Sequence, residues 1–319
     1  LLVGAIVPRD GVATELGLSM NDALTLAITE INDAGGVGGM PVRLIEREEG
    51  DNEATASLAM LELIQLGVDA IVGPTSSTNT LATLGTAVDA GVLTCSPTAT
   101  ALALDSFPDN GLLIRTIASD SLQAEALASL VESSGTSSAV IVYVDDNYGR
   151  PFAQEARLAV LAEGTSVTAM VGFTASEDSV AAAVDAVVAT QAEVVVVIAD
   201  GTTGPAIISA IDDASAIEPT YVVNDALRRP ATTAQPFGRS LRTRVEGVSP
   251  LAYPTAESFM ESLRGINPNA TGLFAQNVYD CLNAIALAAL SADSDQPAAI
   301  ARQIPIATDQ GTPCSNFTT

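Results

Sequence analysis

The chain has 319 residues, which is enough for two domains with substantial cores. Its 38 Asp and Glu residues outnumber its 13 Arg residues, there is no Lys, and the formal net charge is -25. We therefore expect neither nucleic acid nor an anionic lipid surface as a partner, because both are bound through basic patches. The absence of His and Lys excludes Ser-His and Cys-His dyads, His-ligated zinc and lysine Schiff bases.

Short apolar runs alternate with helical patterns along the whole chain, and this alternation predicts parallel sheets with helices on both faces. The predicted strands lie at 1–7, 41–47, 69–72, 91–95, 112–117, 139–144, 167–173, 193–199, 220–223 and 245–248. Predicted helices lie at 16–33, 53–66, 122–132, 151–161, 180–189, 202–213, 257–263, 273–289 and 297–304. The alternation restarts near residue 117, which predicts two lobes, 1–118 with 252–319 and 119–251.

Two successive predicted strands each run into a cluster of hydroxyl residues, at 75–78 and at 96–100. Each cluster is followed by an alanine-rich stretch that predicts a helix. Hydroxyl groups and free backbone N–H groups at a helix N-terminus favour the binding of a small anion such as a carboxylate. Helix capping is the alternative role for either cluster taken alone.

The three cysteines have no metal-ligand spacing. Cys95 falls in a predicted strand and Cys281 in a predicted helix, so we expect both to be buried, unreactive thiols. Cys314 lies in a polar tail, and we expect it to form a disulfide with a residue beyond Thr319. No apolar run reaches the length that spans a membrane.

Several short segments occur in an order that is typical of one protein family. They lie at 8–17, 31–36, 71–74, 96–100, 147–149 and 278–280. Together they cover nearly the whole chain. The chain thereby resembles the extracellular solute-binding proteins of branched-chain amino-acid ABC importers, the leucine/isoleucine/valine-binding type. The resemblance implies the type I periplasmic-binding fold, an α/β fold of two doubly wound parallel-sheet lobes joined by a hinge.

The resemblance also implies how a ligand is held. Ser77 and Thr100, with the backbone of Thr98, would bind the carboxylate of the ligand. Asp225 of the second lobe would meet its amino group, and Tyr148 would close over it. Taken without the resemblance, Asp225 reads as a turn former and Tyr148 as a surface tyrosine.

Three further residues fall at pocket positions of the family. Tyr279 would line the pocket from the first lobe, although a core helix tyrosine is the alternative reading. Asp200 and Gln276 stand at positions that are often aromatic in the family. These departures, with Arg9 at a position that is often apolar, put a plain aliphatic ligand in doubt.

The function that the resemblance implies is solute binding without catalysis. The protein would act as a monomer, with no cofactor and no metal, on the outer side of the cell membrane or in the periplasm, either free or lipid-anchored. It would capture an amino acid or a close analogue by hinge closure of the two lobes and deliver it to an ABC transporter permease.

Other functions stay open from the sequence. One is the binding of another small polar solute, such as an aromatic carboxylate, an amide or urea. Another is a ligand-sensing domain of a receptor with the same fold. The weakest is an enzyme that uses Asp145 and Asp146 in acid-base chemistry, because adjacent loop acids commonly only solvate a turn.

Overall fold

A computed structural model of the chain describes residues 1–228, 236–250, 257–309 and 317. The chain divides into two compact units, which are described separately. Unit 1 comprises Leu1–Ile117 and Ala252–Thr319, and unit 2 comprises Ala118–Leu251. The first boundary falls one residue earlier than the sequence predicts. Cys314 lies outside the described residues, so its expected disulfide stays a prediction.

Strands and helices alternate in the described part of the chain. The strands are β1 (Leu2–Val7), β2 (Arg43–Glu48), β3 (Ala70–Val72), β4 (Leu93–Ser96), β5 (Leu113–Arg115), β6 (Ser138–Val144), β7 (Ser166–Phe173), β8 (Val194–Ile198), β9 (Thr220–Val223) and β10 (Val245–Gly247). The α-helices are α1 (Thr14–Asp33), α2 (Glu53–Gln65), α3 (Ser77–Asp89), α4 (Asp120–Ser133), α5 (Gly149–Ala162), α6 (Glu177–Thr190), α7 (Thr203–Ala214), α8 (Arg239–Arg242), α9 (Glu257–Ile266), α10 (Ala275–Ala292) and α11 (Pro297–Asp309).

Each unit is built on one five-stranded sheet whose paired strands are all parallel. The strand order is β2-β1-β3-β4-β5 in unit 1 and β10-β9-β8-β6-β7 in unit 2. The predicted class, two parallel-sheet α/β lobes, is confirmed. No helix in the described ranges is both long and apolar enough to cross a membrane.

Alternating side chains of the central strands fill separate cores on the two faces of each sheet. In β8, Val195 and Val197 belong to one buried cluster of unit 2, whereas Val194 and Val196 belong to another. In β1 of unit 1, Val3 and Ile6 are divided in the same way. This separation follows from the two-residue period of a strand, and burial on both faces explains why the runs are continuously apolar.

The second hydroxyl cluster is not followed by the α-helix that the sequence predicts. Only a short 3₁₀ turn, Leu102–Leu104, is present there. The physical reason is that serine hydroxyls accept hydrogen bonds from the backbone N–H groups before this turn. Ser96 Oγ accepts from Ala99, and Ser77 Oγ accepts from Thr100 and Ala101. Only the first cluster therefore lies at the N-terminus of an α-helix.

The expectation of free thiols at Cys95 and Cys281 is wrong, because the two residues form a disulfide. Their Cα atoms lie 5.8 Å apart, although 186 positions separate them in sequence. Cys95 in β4 and Cys281 in α10 belong to one fully buried cluster of unit 1. Helix α10 packs onto this face of the sheet and brings the two cysteines together. Their spacing in the sequence does not indicate this contact.

We expect loss of this disulfide to destabilise the protein. The double variant Cys95→Ala, Cys281→Ala should lower the free energy of unfolding by about 2–4 kcal/mol, because the bond closes a very long loop in the unfolded chain. Urea unfolding under non-reducing conditions measures the difference. The single variant Cys281→Ala is the control and should lose a similar amount. An unchanged unfolding midpoint in both variants would contradict the prediction.

Candidate functional site

The predicted site residues lie mainly beyond the carboxyl ends of the strands. In unit 1, β1 is flanked by β2 on one side and β3 on the other, which makes a topological switch point. Ser77 follows β3. In unit 2, β6 is flanked by β7 and β8, and Tyr148 follows β6. Crevices at such switch points are where open parallel sheets bind ligands.

A glycine allows β3 to enter the turn that leads to Ser77. Gly73 has a φ of +98°, in the left-handed region, and a Cβ atom there would lie 2.1 Å from the carbonyl oxygen of Ile6. Ser76 then caps α3, since its hydroxyl accepts the N–H of Asn79 at 3.0 Å. The glycine lets the chain turn after β3, and the cap stabilises the start of α3, whose first residue is Ser77.

The Ser77 hydroxyl joins the two hydroxyl clusters. Its Oγ accepts the N–H groups of Thr100 and Ala101, both at 3.1 Å. These two bonds occupy the acceptor capacity of the oxygen, so its single hydrogen is left for another acceptor. The side chain is buried, with 9% of its surface exposed.

Further hydrogen-bond donors lie around Ser77. Within the described ranges, no protein acceptor pairs with the N–H groups of Ser77, Thr78 and Thr98. Thr98 Oγ1 donates to the carbonyl of Thr75 at 2.8 Å, so the second hydroxyl cluster is bonded to the turn before Ser77. The Thr100 hydroxyl also lacks a protein partner in the described part of the chain. This donor set suits a carboxylate, and the N-terminal end of α3 adds partial positive charge.

One residue that the sequence patterns do not single out supports the first hydroxyl cluster through hydrogen bonds. Glu49 follows β2 and is 1% exposed. Its carboxylate accepts the N–H groups of Thr75 and Ser76 and the side-chain amide of Asn79. Burial raises the pKa of Glu49, and these hydrogen bonds partly offset the rise. The only sequence signal was an acidic run after a strand, which is usually solvated.

In unit 2, Asp225 is a buried acid at the carboxyl end of β9. It is 6% exposed, and its backbone N–H donates to Gln123 Oε1 at 2.8 Å. Gln123 in turn donates to Asp120 Oδ1 at 3.0 Å. Burial raises the pKa of Asp225 to about 6, whereas a hydrogen bond from Gln123 acts in the opposite direction. The positive charge of Arg228 also lowers this pKa, but burial outweighs both effects, so the carboxylate would gain from a further cation.

The structure brings Tyr148 close to Asp225 through the neighbouring residue Asn224. Asn224 Nδ2 donates to the Tyr148 hydroxyl oxygen at 3.0 Å, and Asn224 Oδ1 accepts the N–H of Ala199 at 3.1 Å. The Tyr148 ring packs edge-to-face on Phe152, with ring centroids 5.9 Å apart. The loops after β6, β8 and β9 therefore meet in one side-chain network.

Three other predicted residues are placed differently. Asp200 is exposed and caps α7, because its Oδ1 accepts the N–H groups of Thr202 and Thr203, both at 2.7 Å. Tyr279 lies in the core of unit 1, where its hydroxyl donates to Glu30. Gln276 is half-buried in the first turn of α10. A ligand contact by any of these three stays a prediction.

Comparison with known proteins gives the family. The family described as periplasmic binding protein matches residues 1–311, so the chain belongs to it, and the predicted resemblance is confirmed. A leucine-, isoleucine-, valine-, threonine- and alanine-binding protein of Pseudomonas aeruginosa is 26% identical over 171 residues. That match covers 53% of this chain and 46% of the relative, so it spans less than half of the relative's length.

Solved structures show the same fold at low sequence identity. One is a branched-chain amino acid transporter substrate-binding protein of Streptococcus pneumoniae in complex with isoleucine. It is 20% identical with a TM-score of 0.80, over 100% of this chain and 90% of that chain. Another is a solute-binding protein of R. palustris in complex with 4-hydroxybenzoate. It is 17% identical with a TM-score of 0.80, over 94% of this chain and 83% of that chain.

We expect Asp225 to make the stability of unit 2 depend on pH. Its pKa of about 6 lies above the usual 3.8, so the folded state holds the proton more tightly than the unfolded state does. The contribution of Asp225 to the free energy of unfolding is therefore fully present below pH 4. It is lost as the pH rises through 6. A shift of about two units corresponds to about 3 kcal/mol.

The measurement is urea unfolding of wild type and Asp225→Asn between pH 4 and pH 7. The difference between the two proteins isolates this group, and the absence of histidine removes the usual source of titration near pH 6. The variant should lose less stability than wild type on going up through pH 6; what it still loses comes from other acids whose pKa burial raises, such as Asp280 and Glu49. Parallel pH profiles would contradict the assignment.

Proposed function

We propose that this member of the periplasmic binding protein family is the solute-binding component of an ABC importer and captures an α-amino acid or a close analogue. The observation that carries the proposal is the complementary chemistry of the two units. Unit 1 presents a set of donors around Ser77, and unit 2 presents the buried acid Asp225. An α-amino acid carries the matching pair of charges, a carboxylate and an ammonium group.

In this proposal, unit 1 binds the carboxylate. The donors are the hydroxyls of Ser77 and Thr100 and the backbone N–H groups of Ser77, Thr78 and Thr98. Hydrogen bonds to a charged acceptor are roughly twice as strong as neutral ones, and the dipole of α3 favours the anion further. The Ser77 hydroxyl donates with a fixed direction, because Thr100 and Ala101 hold its oxygen.

Asp225 binds the ammonium group and Tyr148 covers the ligand. A buried carboxylate is costly without a partner, and an ammonium group that donates to it offsets that cost. Asn224 holds the Tyr148 hydroxyl, so the ring has a defined position next to the acid. Asp200, Gln276 and Tyr279 are kept as candidate contacts of the ligand. Asp200 also caps α7, and the Tyr279 hydroxyl also donates to Glu30.

The proposal includes a membrane permease as partner and a place outside the cell membrane, either free or held by a lipid anchor. The protein would act as a monomer and would release the solute unchanged. The buried disulfide between Cys95 and Cys281 supports an oxidising compartment, since such bonds persist there and are rare in the cytosol. The named relatives, one described as binding several amino acids and one solved with isoleucine, support an amino acid as ligand.

An aromatic carboxylate is the second candidate, favoured by the structural likeness to a protein solved with 4-hydroxybenzoate. Asp225 argues against it, because such a ligand has no cation for a buried acid. Mass spectrometry of the protein as purified, followed by thermal shift with twenty amino acids and 4-hydroxybenzoate, separates the two. A true ligand at a hundredfold excess over its Kd stabilises the protein by about 2.7 kcal/mol. Stabilisation by 4-hydroxybenzoate alone would overturn the amino-acid proposal.

We expect Ser77→Ala to weaken amino-acid binding about 10- to 150-fold, because it removes a hydrogen bond to a charged group. It also leaves the N–H groups of Thr100 and Ala101 without their acceptor. Isothermal titration calorimetry measures the affinity. The matched control is Ser76→Ala, which removes the cap of α3 but not the proposed ligand contact, and it should bind nearly as wild type does. Equal losses in both variants would show that the helix start matters and the Ser77 hydroxyl does not.

The affinity should also depend on pH through Asp225, whose pKa of about 6 is that of the unliganded site. An ammonium group pairs with the ionised acid, so the affinity should be constant above pH 7. Below pH 6 it should fall about tenfold per pH unit, as the ionised fraction does. Asp225→Asn should bind weakly and without this dependence, whereas Asp200→Asn should keep it. A flat profile in wild type would exclude Asp225 as the partner of the ammonium group.

A further inference from the structure

Glu49 is a buried acid of unit 1 that the proposed ligand set does not include. We propose that Glu49 is a positioning residue for the carboxylate-binding turn: it fixes residues 75–79 through four hydrogen bonds and so places Ser77. This inference rests on the proposed function, because it concerns how the same site binds a carboxylate.

Both carboxylate oxygens of Glu49 accept hydrogen bonds from the turn at 75–79. Oε2 accepts the N–H of Thr75 at 2.9 Å and its hydroxyl at 2.6 Å. Oε1 accepts the N–H of Ser76 at 2.9 Å and the amide of Asn79 at 3.0 Å. Both carboxylate oxygens are thus used twice, and every donor comes from one turn. A side chain that only filled space would need none of these bonds.

Glu49 occupies the first backbone N–H groups of the turn before α3. Thr75 and Ser76 directly precede α3, and their N–H groups belong to the region where a helix start binds anions. The carboxylate of Glu49 already occupies this part. A ligand carboxylate must therefore use the next donors along the chain, the N–H groups of Ser77 and Thr78. Glu49 in this way decides where along the turn the ligand binds.

The turn that Glu49 holds is hydrogen-bonded to the second hydroxyl cluster. The carbonyl of Thr75 accepts the Thr98 hydroxyl at 2.8 Å, and the carbonyl of Pro74 accepts the Ser96 hydroxyl at 2.7 Å. Ser77 Oγ completes the connection through Thr100. A shift of the turn held by Glu49 would hence displace both halves of the donor set.

The acids of the adjacent strand β2 have a cationic residue as partner, and Glu49 differs from them. Glu46 forms an ion pair with Arg9, and Glu48 accepts the backbone N–H of Arg9. No arginine in the described ranges forms an ion pair with Glu49. Its charge is held by the turn alone, so the turn and the carboxylate depend on each other.

The experiment separates positioning from general stability. Titration calorimetry is carried out with L-leucine, L-threonine and L-arginine, and with the carboxamide of each, on wild type, Glu49→Gln and Asp69→Asn. Glu49→Gln replaces one acceptor oxygen by an NH₂ group, which cannot accept the hydrogen bonds that the turn donates. Asp69→Asn is the matched control, because Asp69 accepts the N–H of Leu2 at 2.7 Å at the opposite end of the same sheet.

Glu49→Gln should lower the affinity for the amino acid that wild type binds by about tenfold or more, and that for its carboxamide by less than about threefold. Asp69→Asn should leave both affinities unchanged, even if it lowers the urea unfolding midpoint as much as Glu49→Gln does. If Glu49→Gln does not fold, Thr75→Val should show the same selective loss and Thr75→Ser should restore binding. Equal losses for acid and carboxamide, or wild-type binding by the variants, would overturn the inference. Wild type that binds none of the twenty amino acids of the thermal-shift panel would overturn the proposed function, and this inference with it.

Discussion

The burial of carboxylates without a full counter-charge is the constraint on which the site depends. Glu49 and Asp225 are both nearly inaccessible to water, and burial raises the pKa of each. Their surroundings differ in kind. Four donors from one turn surround Glu49, so its charge is satisfied by the protein. Around Asp225, hydrogen bonds and the charge of Arg228 offset burial only in part, and in our proposal the ammonium group of the ligand adds to them. Glu49 thereby holds the donor set of unit 1 in place, whereas Asp225 is the acid that we propose to bind the cation of the ligand.

The fold could be predicted from the sequence because its signals are local and repeated. The valine run in β8 is buried on both faces, as a central parallel strand requires, and no tertiary knowledge is needed to recognise it. Capping, the alternative role for the first hydroxyl cluster, is present at Ser76, and the helix predicted from residue 122 begins two residues earlier, after Ser119. The missing helix after Thr100 shows the limit of such reasoning. Its backbone donors bond to a serine that is distant in sequence, and a helix propensity cannot register that competition.

The site was only partly predictable. Ser77, Thr100 and Asp225 stand at the ends of strands, where a parallel sheet binds ligands, and the structure places them there. Glu49 escaped prediction because a buried acid and a solvated acid look alike in a sequence. The pairing of Cys95 with Cys281 escaped because it depends on how α10 packs against β4. The bond of Tyr279 to Glu30 is likewise a tertiary contact, whereas Asp200 accepts the N–H groups of Thr202 and Thr203, a local contact at the start of α7.

The disulfide has a topological consequence. Unit 1 is made of two chain segments with unit 2 inserted between them, and Cys95 and Cys281 belong to different segments. The bond therefore turns unit 2 and its connections into a covalently closed loop. A protease that cuts this loop once would leave both pieces of unit 1 attached to each other, with the hydroxyl turns still in place. The nicked protein would migrate as one molecule until a reductant is added, and only then would it separate into two fragments.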